Sequence, residues 1–193
     1  TVSENAVTGS AALFDYQVVT EFHAAQQDFV QKIGLIVDDF ESGDFSAFNW
    51  KFGGNSPWTM TGSGAFEGSY CPVSGLIGNN SFSELRIEYD VMFNDSISFY
   101  KQVSSEQDYD YLSFYIDGVL QDQWSGEDGW TRVAFAVTAG EHSFKWVYSK
   151  DTYVTSGQDK AWIDYVVFPA ELRTSAQAGA DAVSCENTPF ALN

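Results

Sequence analysis

The feature that most constrains the fold is a series of short strand patterns in the second half of the chain. Each pattern is rich in aromatic and β-branched residues, which suit a half-buried pleated surface. A turn signal inside the series is the Asp117-Gly118 pair, which predicts a two-residue type I′ hairpin between the strand ending at Ile116 and a strand at 119–124. The five main strands are predicted at residues 96–100, 111–116, 131–137, 143–148 and 161–168.

An earlier segment, residues 83–91, alternates so regularly that its two faces can be assigned. Apolar side chains occupy one face and charged side chains the other, as the two-residue period of a strand requires; the apolar set is Leu85, Ile87, Tyr89 and Val91. Shorter strand patterns occur at 35–41, 50–52 and 58–60. Eight or nine short strands with turns at this spacing predict an all-β fold, a two-sheet antiparallel jelly-roll sandwich, with a closed barrel as the alternative.

The two ends of the chain differ from this β module, which we place at residues 35–169. Residues 1–34 form an N-terminal arm in which Phe22, Ala25, Phe29 and Ile33 recur at helical spacing. This spacing favours a short helix, and an extended arm that packs on the β domain is the alternative. Residues 170–193 have linker composition and then resemble the start of a following element.

The charge of the chain excludes several partners. The sequence has 193 residues with 27 acidic and 9 basic side chains, for a formal net charge of −18. Such a surface repels nucleic-acid phosphates and anionic lipid head groups, and the chain lacks an apolar run long enough to insert into a membrane. Excess acid is typical of an exposed extracellular protein, and some carboxylates can converge on a hard cation such as Ca²⁺.

Catalytic motifs are missing from the sequence, so we expect no enzyme activity. A serine or cysteine nucleophile needs a nearby base, but His23 lies in the arm and His142 at a turn, and no Gly-x-Ser-x-Gly elbow occurs. A glycosidase needs only two carboxylates, and no pair stands out. Cys71 and Cys185 are far apart and form no disulfide framework or metal motif.

Several motifs in a fixed order carry a family resemblance. They include Asp39-Phe40-Glu41 and Trp162-Ile163-Asp164-Tyr165, and the full set covers residues 39–45, 74–80, 103–118, 124–127, 137–146 and 162–165. This combination resembles jelly-roll modules of Bacteroidetes surface and secreted proteins, and is similar to gingipain cleaved-adhesin domains and, more distantly, to MAM domains. The resemblance implies a secreted or cell-surface, non-catalytic module. The tail at 178–187 is similar to the start of a PKD-like or immunoglobulin-like repeat.

The resemblance also implies a structural Ca²⁺ where the first and last strands meet. The matching acids here are Glu41 and Asp164; Asp39 shares the face of Glu41, and Asp159 is a further candidate ligand. Oxygen ligands without nearby His or Cys suit Ca²⁺ better than Zn²⁺. Where many relatives have a second acid, this chain has Tyr165. The alternative is that these acids are solvated at strand ends.

A second group of candidates lies in the run 106–111, which interleaves acids with aromatic residues. Asp108, Tyr109 and Asp110 can form a sugar-stacking rim or a second cation site, or simply the entry to a strand. Trp124 is a further candidate contact, for which a packing role is the alternative.

The functional expectation is therefore a binding or adhesion module of a larger bacterial protein, stabilised by calcium. Its partners would be a host or matrix protein or a glycan, together with neighbouring domains of the same polypeptide. The alternative is a structural spacer or accessory domain of a secreted protease. A carbohydrate-binding module of a glycoside hydrolase ranks third.

Overall fold

The computed structural model describes residues 11–19, 24–32 and 35–171, and every regular element in these ranges is a β-strand. No helix that could span a membrane occurs among the residues so described. The strands, in chain order, are β1 Ala11–Val19, β2 Ala24–Lys32, β3 Ile36–Asp38, β4 Lys51–Gly54, β5 Thr59–Thr61, β6 Cys71–Val73, β7 Phe82–Val91, β8 Asp95–Ser104, β9 Tyr111–Ile116, β10 Val119–Trp124, β11 Glu127–Val137, β12 Gly140–Ser149 and β13 Lys160–Phe168.

Strands β3 to β13 form two antiparallel sheets. One sheet has the order β10-β9-β12-β7-β4, and the other has the order β11-β8-β13-β6-β5, with β3 paired to β13. The five strands predicted in the second half of the chain are β8, β9, β11, β12 and β13, and their existence is confirmed. Because the strands are divided between two sheets, the predicted all-β sandwich is confirmed in preference to the closed barrel.

The core lies between the two sheets and is dominated by aromatic rings. Phe114 is fully buried, with its ring centroid 4.9 Å from both Phe99 on the facing sheet and Trp146 on the neighbouring strand. The alternation predicted for β7 is also present, since Leu85, Ile87, Tyr89 and Val91 are at most 5% exposed. Contacts of this kind, in which each ring touches several others, add to the apolar burial that holds the sandwich together.

The first strand of the module returns beside the last, as the sequence predicted. In the pairing of β3 with β13, Ile36 lies opposite Phe168 and Asp38 opposite Val166. Three residues after Asp38 comes Glu41, and two residues before Val166 comes Asp164. The pairing therefore brings the two predicted calcium ligands to the same region of the sheet.

The predicted helix in the N-terminal arm is wrong. Residues 11–19 and 24–32 instead form an antiparallel hairpin with nine paired positions, from Ala11 opposite Lys32 to Val19 opposite Ala24. The predicted helix depended on a spacing within one segment, that of Phe22, Ala25, Phe29 and Ile33. In the structure, residues 11–19 supply a partner strand whose backbone groups pair with those of residues 24–32. Pairing between segments therefore outweighed a local pattern.

The C-terminal end of the described chain remains attached to the sandwich. Ala170 is buried and its carbonyl accepts a hydrogen bond from the Met92 amide at 2.8 Å, while Glu171 forms a bridge with Val91. The predicted start of a following repeat, within residues 172–193, lies outside the described residues.

Candidate functional site

The outer face of the β11-β8-β13 sheet carries a groove with a volume of about 330 Å³, which we call the sheet groove. Strand alternation creates it: along β8, Ile97 and Phe99 point into the core, so Ser96, Ser98 and Tyr100 face outward. The lining residues are Leu35, Asp95, Ser96, Ser98, Tyr100, Arg132, Tyr165 and Val167.

Tyr100, one of the rings that line the sheet groove, belongs to an aromatic stack that extends beyond the lining. The ring of Tyr100 is nearly parallel to that of Phe66, with a centroid separation of 3.4 Å and an interplanar angle of 14°. Phe66 in turn meets the edge of Trp130, whose indole Nε1–H donates to the Gly64 carbonyl at 2.9 Å. These contacts hold the Tyr100 ring in one orientation before any ligand binds.

Tyr165 lies in the sheet groove because the last strand is irregular at that point. The pairing of β13 with β8 shifts between Asp164 and Val167, and Tyr165 has a φ of +47°, a left-handed conformation that is uncommon outside glycine. A bulge of this kind turns a side chain away from the direction that regular alternation would give it. The sequence had marked Tyr165 only as a missing calcium ligand, so its place in the groove was not predicted.

The polar groups of the sheet groove come from different strands. Arg132 is exposed on β11, and its Nη2 donates a hydrogen bond to Ser98 Oγ on β8 at 2.9 Å. Asp95, at the start of β8, accepts a hydrogen bond from the Ala170 amide at 3.3 Å. Aromatic faces beside hydroxyl, guanidinium and carboxylate groups can hold a ligand that has both apolar and hydroxyl-bearing surfaces.

Glu41 and Asp164 converge on one loop, at residues 66–70, and anchor it through backbone hydrogen bonds. Asp164 Oδ2 accepts from the amides of Phe66 (2.9 Å) and Glu67 (3.2 Å), while Glu41 Oε1 accepts from those of Ser69 (2.7 Å) and Tyr70 (2.9 Å). Burial raises the pKa of Asp164 to about 6, although these amide donors oppose the shift.

The other two predicted calcium ligands, Asp39 and Asp159, have hydrogen-bond partners outside the loop at residues 66–70. Asp39 is exposed, and its Oδ1 accepts a hydrogen bond from the Glu41 amide at 3.2 Å. Asp159 lies just before β13, five residues before Asp164, where it forms an ion pair with Lys150 and accepts a hydrogen bond from the Tyr148 hydroxyl.

The four predicted ligand-binding residues fall into separate environments. Asp108 and Tyr109 are exposed in the loop between β8 and β9, and Tyr109 is 58% exposed. Asp110 is fully buried, and its Oδ1 accepts the Asp151 amide at 2.8 Å. Trp124 packs against the core below Lys101, whose ammonium lies 5.2 Å from the ring centroid, which favours the packing role.

His142, the only histidine of the β module, is engaged at the end of the Asp117-Gly118 hairpin. Its Nδ1 lies 2.7 Å from Asp117 Oδ2, and its Nε2 lies 3.0 Å from the Thr138 carbonyl oxygen. Both ring nitrogens of His142 therefore have polar partners, and these two contacts explain why a histidine lies at this turn.

The fold is similar to that of several solved structures, although no protein-family model and no curated protein matches the sequence. The secreted serine protease VesC from Vibrio cholerae matches at a TM-score of 0.54 and 14% identity, over 86% of this chain and 35% of VesC. This chain thus corresponds to only 35% of the length of VesC.

Two further structures match over almost their whole length. A cleaved adhesin domain of Lys-gingipain from Porphyromonas gingivalis matches at a TM-score of 0.53 and 13% identity, over 71% of this chain and 98% of that domain. The CBM22-1 xylan-binding domain from Paenibacillus barcinonensis matches at a TM-score of 0.50 and 13% identity, over 72% of this chain and 95% of that domain. At such identities the likeness shows the fold. The similarity to gingipain cleaved adhesin domains is confirmed, and that to MAM domains stays a prediction.

Proposed function

We propose that this chain is a non-catalytic, extracellular binding module that holds a carbohydrate in the sheet groove. The observation that carries the proposal is the groove itself, in which Tyr100, Tyr165 and Arg132 surround a volume of about 330 Å³ on an exposed sheet face. This volume is within the range of about 300–1,000 Å³ that is usual for small-ligand sites. Support also comes from the fold, which is shared with a xylan-binding domain and an adhesin domain.

The chemistry of the groove matches that of a sugar. The rings of Tyr100 and Tyr165 present apolar faces to the C–H surfaces of a pyranose, while Arg132 and Asp95 offer charged hydrogen-bonding groups to its hydroxyls. The stack of Tyr100 on Phe66 orders one of these rings in advance, which lowers the entropy lost on binding. A neutral or cationic glycan is favoured, because the chain has a net charge of −18.

Glycan-array screening of the chain, followed by calorimetric titration of the best ligand, tests this function. Tyr165→Asn is the sharpest variant, because asparagine tolerates the left-handed backbone that Tyr165 adopts while the ring is removed. We expect it to weaken binding about tenfold, which corresponds to about 1.4 kcal/mol. Arg132→Lys keeps the charge but removes the planar fork of donors, and should also weaken binding.

A matched control is Tyr153→Ala, which removes a tyrosine that is 82% exposed in the loop between β12 and β13, outside the groove lining. Its affinity should equal that of the unmodified chain. Absence of any glycan ligand at millimolar concentration would overturn the proposal. Binding that is lost in Tyr153→Ala but kept in Tyr165→Asn would place the site elsewhere.

A second candidate is an accessory domain of a secreted protease. The match of 86% of this chain to a 35% portion of VesC favours this role. The complete gene product tests it: an adjoining serine protease domain supports the accessory role, whereas an array of adhesin modules supports the binding role. The two roles differ in whether the isolated chain binds a glycan.

The calcium site expected at Glu41 and Asp164 is retained as a proposal. A cation there would share both carboxylates with the amides of residues 66–70, because both Asp164 oxygens and Glu41 Oε1 already accept backbone donors. Melting temperatures in EDTA and in Ca²⁺, for the unmodified chain and for Glu41→Gln, test it. A Ca²⁺ response that Glu41→Gln leaves intact would remove Glu41 from the site.

A further inference from the structure

The loops at one end of the sandwich bring together three carboxylates that are distant in sequence. Glu106 and Asp110 belong to the loop between β8 and β9, and Asp151 belongs to the loop between β12 and β13. One ligand atom from each lies within 4.8 Å of one from each of the others. We call these three residues the loop-end cluster.

Two oxygens of the cluster are buried without a hydrogen bond. Asp110 is fully buried, and its Oδ2 accepts no hydrogen bond, although the Lys150 ammonium lies 3.5 Å away; the buried Glu106 Oε2 accepts none either. A buried carboxylate oxygen without a donor is costly, because water that would solvate the charge has been removed. The two oxygens belong to neighbouring side chains, so one bound cation could satisfy both.

The local charge favours a further cation. Lys150 is the ammonium nearest to Asp110 Oδ2, at 3.5 Å, but it is also ion-paired with Asp159 and donates to Thr155 Oγ1 at 3.2 Å. Asp110 and Asp159 thus share one buried ammonium, and Glu106 and Asp151 lie beside Asp110, so the four carboxylates exceed the single positive charge by three when all are ionised. A divalent cation would relieve most of this repulsion.

We propose that Glu106, Asp110 and Asp151 form a calcium site that ties the loop between β8 and β9 to the loop between β12 and β13. All three ligands are carboxylate oxygens, the type that Ca²⁺ and Mg²⁺ prefer. Two oxygens on opposite sides of one ion lie at most about 5 Å apart for Ca²⁺ and about 4.2 Å apart for Mg²⁺. Three oxygens within 4.8 Å of one another can all reach one Ca²⁺ ion, and Ca²⁺ is favoured over Mg²⁺ because it accepts flexible, irregular geometry and loses its water more readily.

Hydrogen bonds around the cluster fix the loops in position for this role. Besides the bond from the Asp151 amide to Asp110, the Asp151 carbonyl accepts the Asn80 amide at 2.7 Å. Glu106 and Asp151 are partly exposed, so water can complete the six to eight ligands that Ca²⁺ requires and the ion can enter from solvent. Asp110 supplies the buried ligand at the base of the site.

Calorimetric titration of the EDTA-treated chain with CaCl₂, beside melting curves with about 10 mM Ca²⁺ or Mg²⁺, tests the proposal. Extracellular calcium modules bind with dissociation constants of about 10⁻⁴–10⁻³ M, so 10 mM Ca²⁺ should raise the melting temperature by about 3–10 °C. Mg²⁺ should have a smaller effect.

Amino-acid substitutions distinguish a calcium site at the loop-end cluster from the calcium site proposed at Glu41 and Asp164. Glu106→Gln and Asp151→Asn change partly exposed side chains, remove one charge each, and should weaken Ca²⁺ binding about tenfold or more in a Glu41→Gln background. Asp122→Asn, an exposed acid on β10, is the matched control and should bind Ca²⁺ unchanged. Asp110→Asn removes the buried ligand, and its fold is checked by circular dichroism.

The proposal is overturned if Ca²⁺ produces no heat and no shift in melting temperature. It is also overturned if Glu106→Gln and Asp151→Asn bind Ca²⁺ as tightly as the Asp122→Asn control, because the cation then binds elsewhere. Stabilisation of Glu106→Gln in the absence of metal, by itself, agrees with the proposal, since relief of repulsion is expected when one of the three charges is removed.

Discussion

Lys101 is a buried ammonium group on the core side of β8, and its environment yields a quantitative prediction. The side chain is 2% exposed, forms an ion pair with Asp128 on β11, and lies over the Trp124 ring. Asp128, by contrast, is 34% exposed. Removal of Asp128 therefore leaves a buried charge without its anion, whereas removal of the lysine charge leaves an acid that water can still reach.

The expected magnitudes follow from this asymmetry. Breaking a buried ion pair by removing one partner costs about 3–5 kcal/mol. Because Trp124 retains a cation–π attraction of about 1–2 kcal/mol and Asp128 is partly hydrated, we expect Asp128→Ala to cost about 3 kcal/mol, near the lower end. Lys101→Met keeps the volume and removes the charge, and should cost less than about 1.5 kcal/mol.

Urea denaturation at pH 7, followed by tryptophan fluorescence, measures these differences. Asp128→Asn, which keeps an acceptor without the charge, should fall between the two variants. The double variant Lys101→Met/Asp128→Ala should be more stable than Asp128→Ala alone, because it no longer buries an unpaired charge. Equal losses in Lys101→Met and Asp128→Ala, or additive losses in the double variant, would refute the reasoning. Lys101→Met should also leave glycan affinity unchanged, since Lys101 is not part of the groove lining.

Three further predictions concern the core and the backbone. Phe99→Ala removes a fully buried ring and should lower the free energy of unfolding by about 3–5 kcal/mol in urea denaturation; a loss below about 1 kcal/mol would contradict its place in the core. Gly54→Ala should cost about 2 kcal/mol or more by the same assay, because φ is +83° and a Cβ would lie 2.2 Å from the Phe82 carbonyl oxygen. Cys71 should resist thiol reagents in the native state of a Cys185→Ser variant and react after denaturation, because burial raises its pKa to about 12; rapid native labelling would contradict this.

The parts of the fold that were predictable are those set by neighbours along the chain. The faces of β7 followed from a strict two-residue alternation, and the hairpin between β9 and β10 followed from Asp117-Gly118. Both residues of that pair have positive φ, at 53° and 77°, as a type I′ turn requires. The N-terminal arm was not predictable from neighbours along the chain. Its helical spacing was a weak local signal, and the strand with which it pairs lies in another segment.

The candidate sites were less predictable, because each one combines distant strands. Tyr100, Arg132 and Tyr165 follow one another along the chain at intervals of about thirty residues, and they meet only through the registers of β8 with β11 and β13. The run 106–111 was recognised as a candidate cation site, but Asp151 was not connected to it. Likewise, the sequence suggests Asp159 as a further ligand beside Glu41 and Asp164, whereas the structure pairs Asp159 with Lys150.

The sequence alone determined the strand content, the solvent-exposed and buried faces of the regular strands, the tight turns and the strongly acidic surface. These properties depend on side-chain period, turn chemistry and charge, which act over a few residues or over the whole composition. Only the tertiary structure decided which outward-facing side chains form the sheet groove and which acids converge at the loop ends. That choice depends on strand register, bulges and burial, which are set by the packing of the whole sandwich.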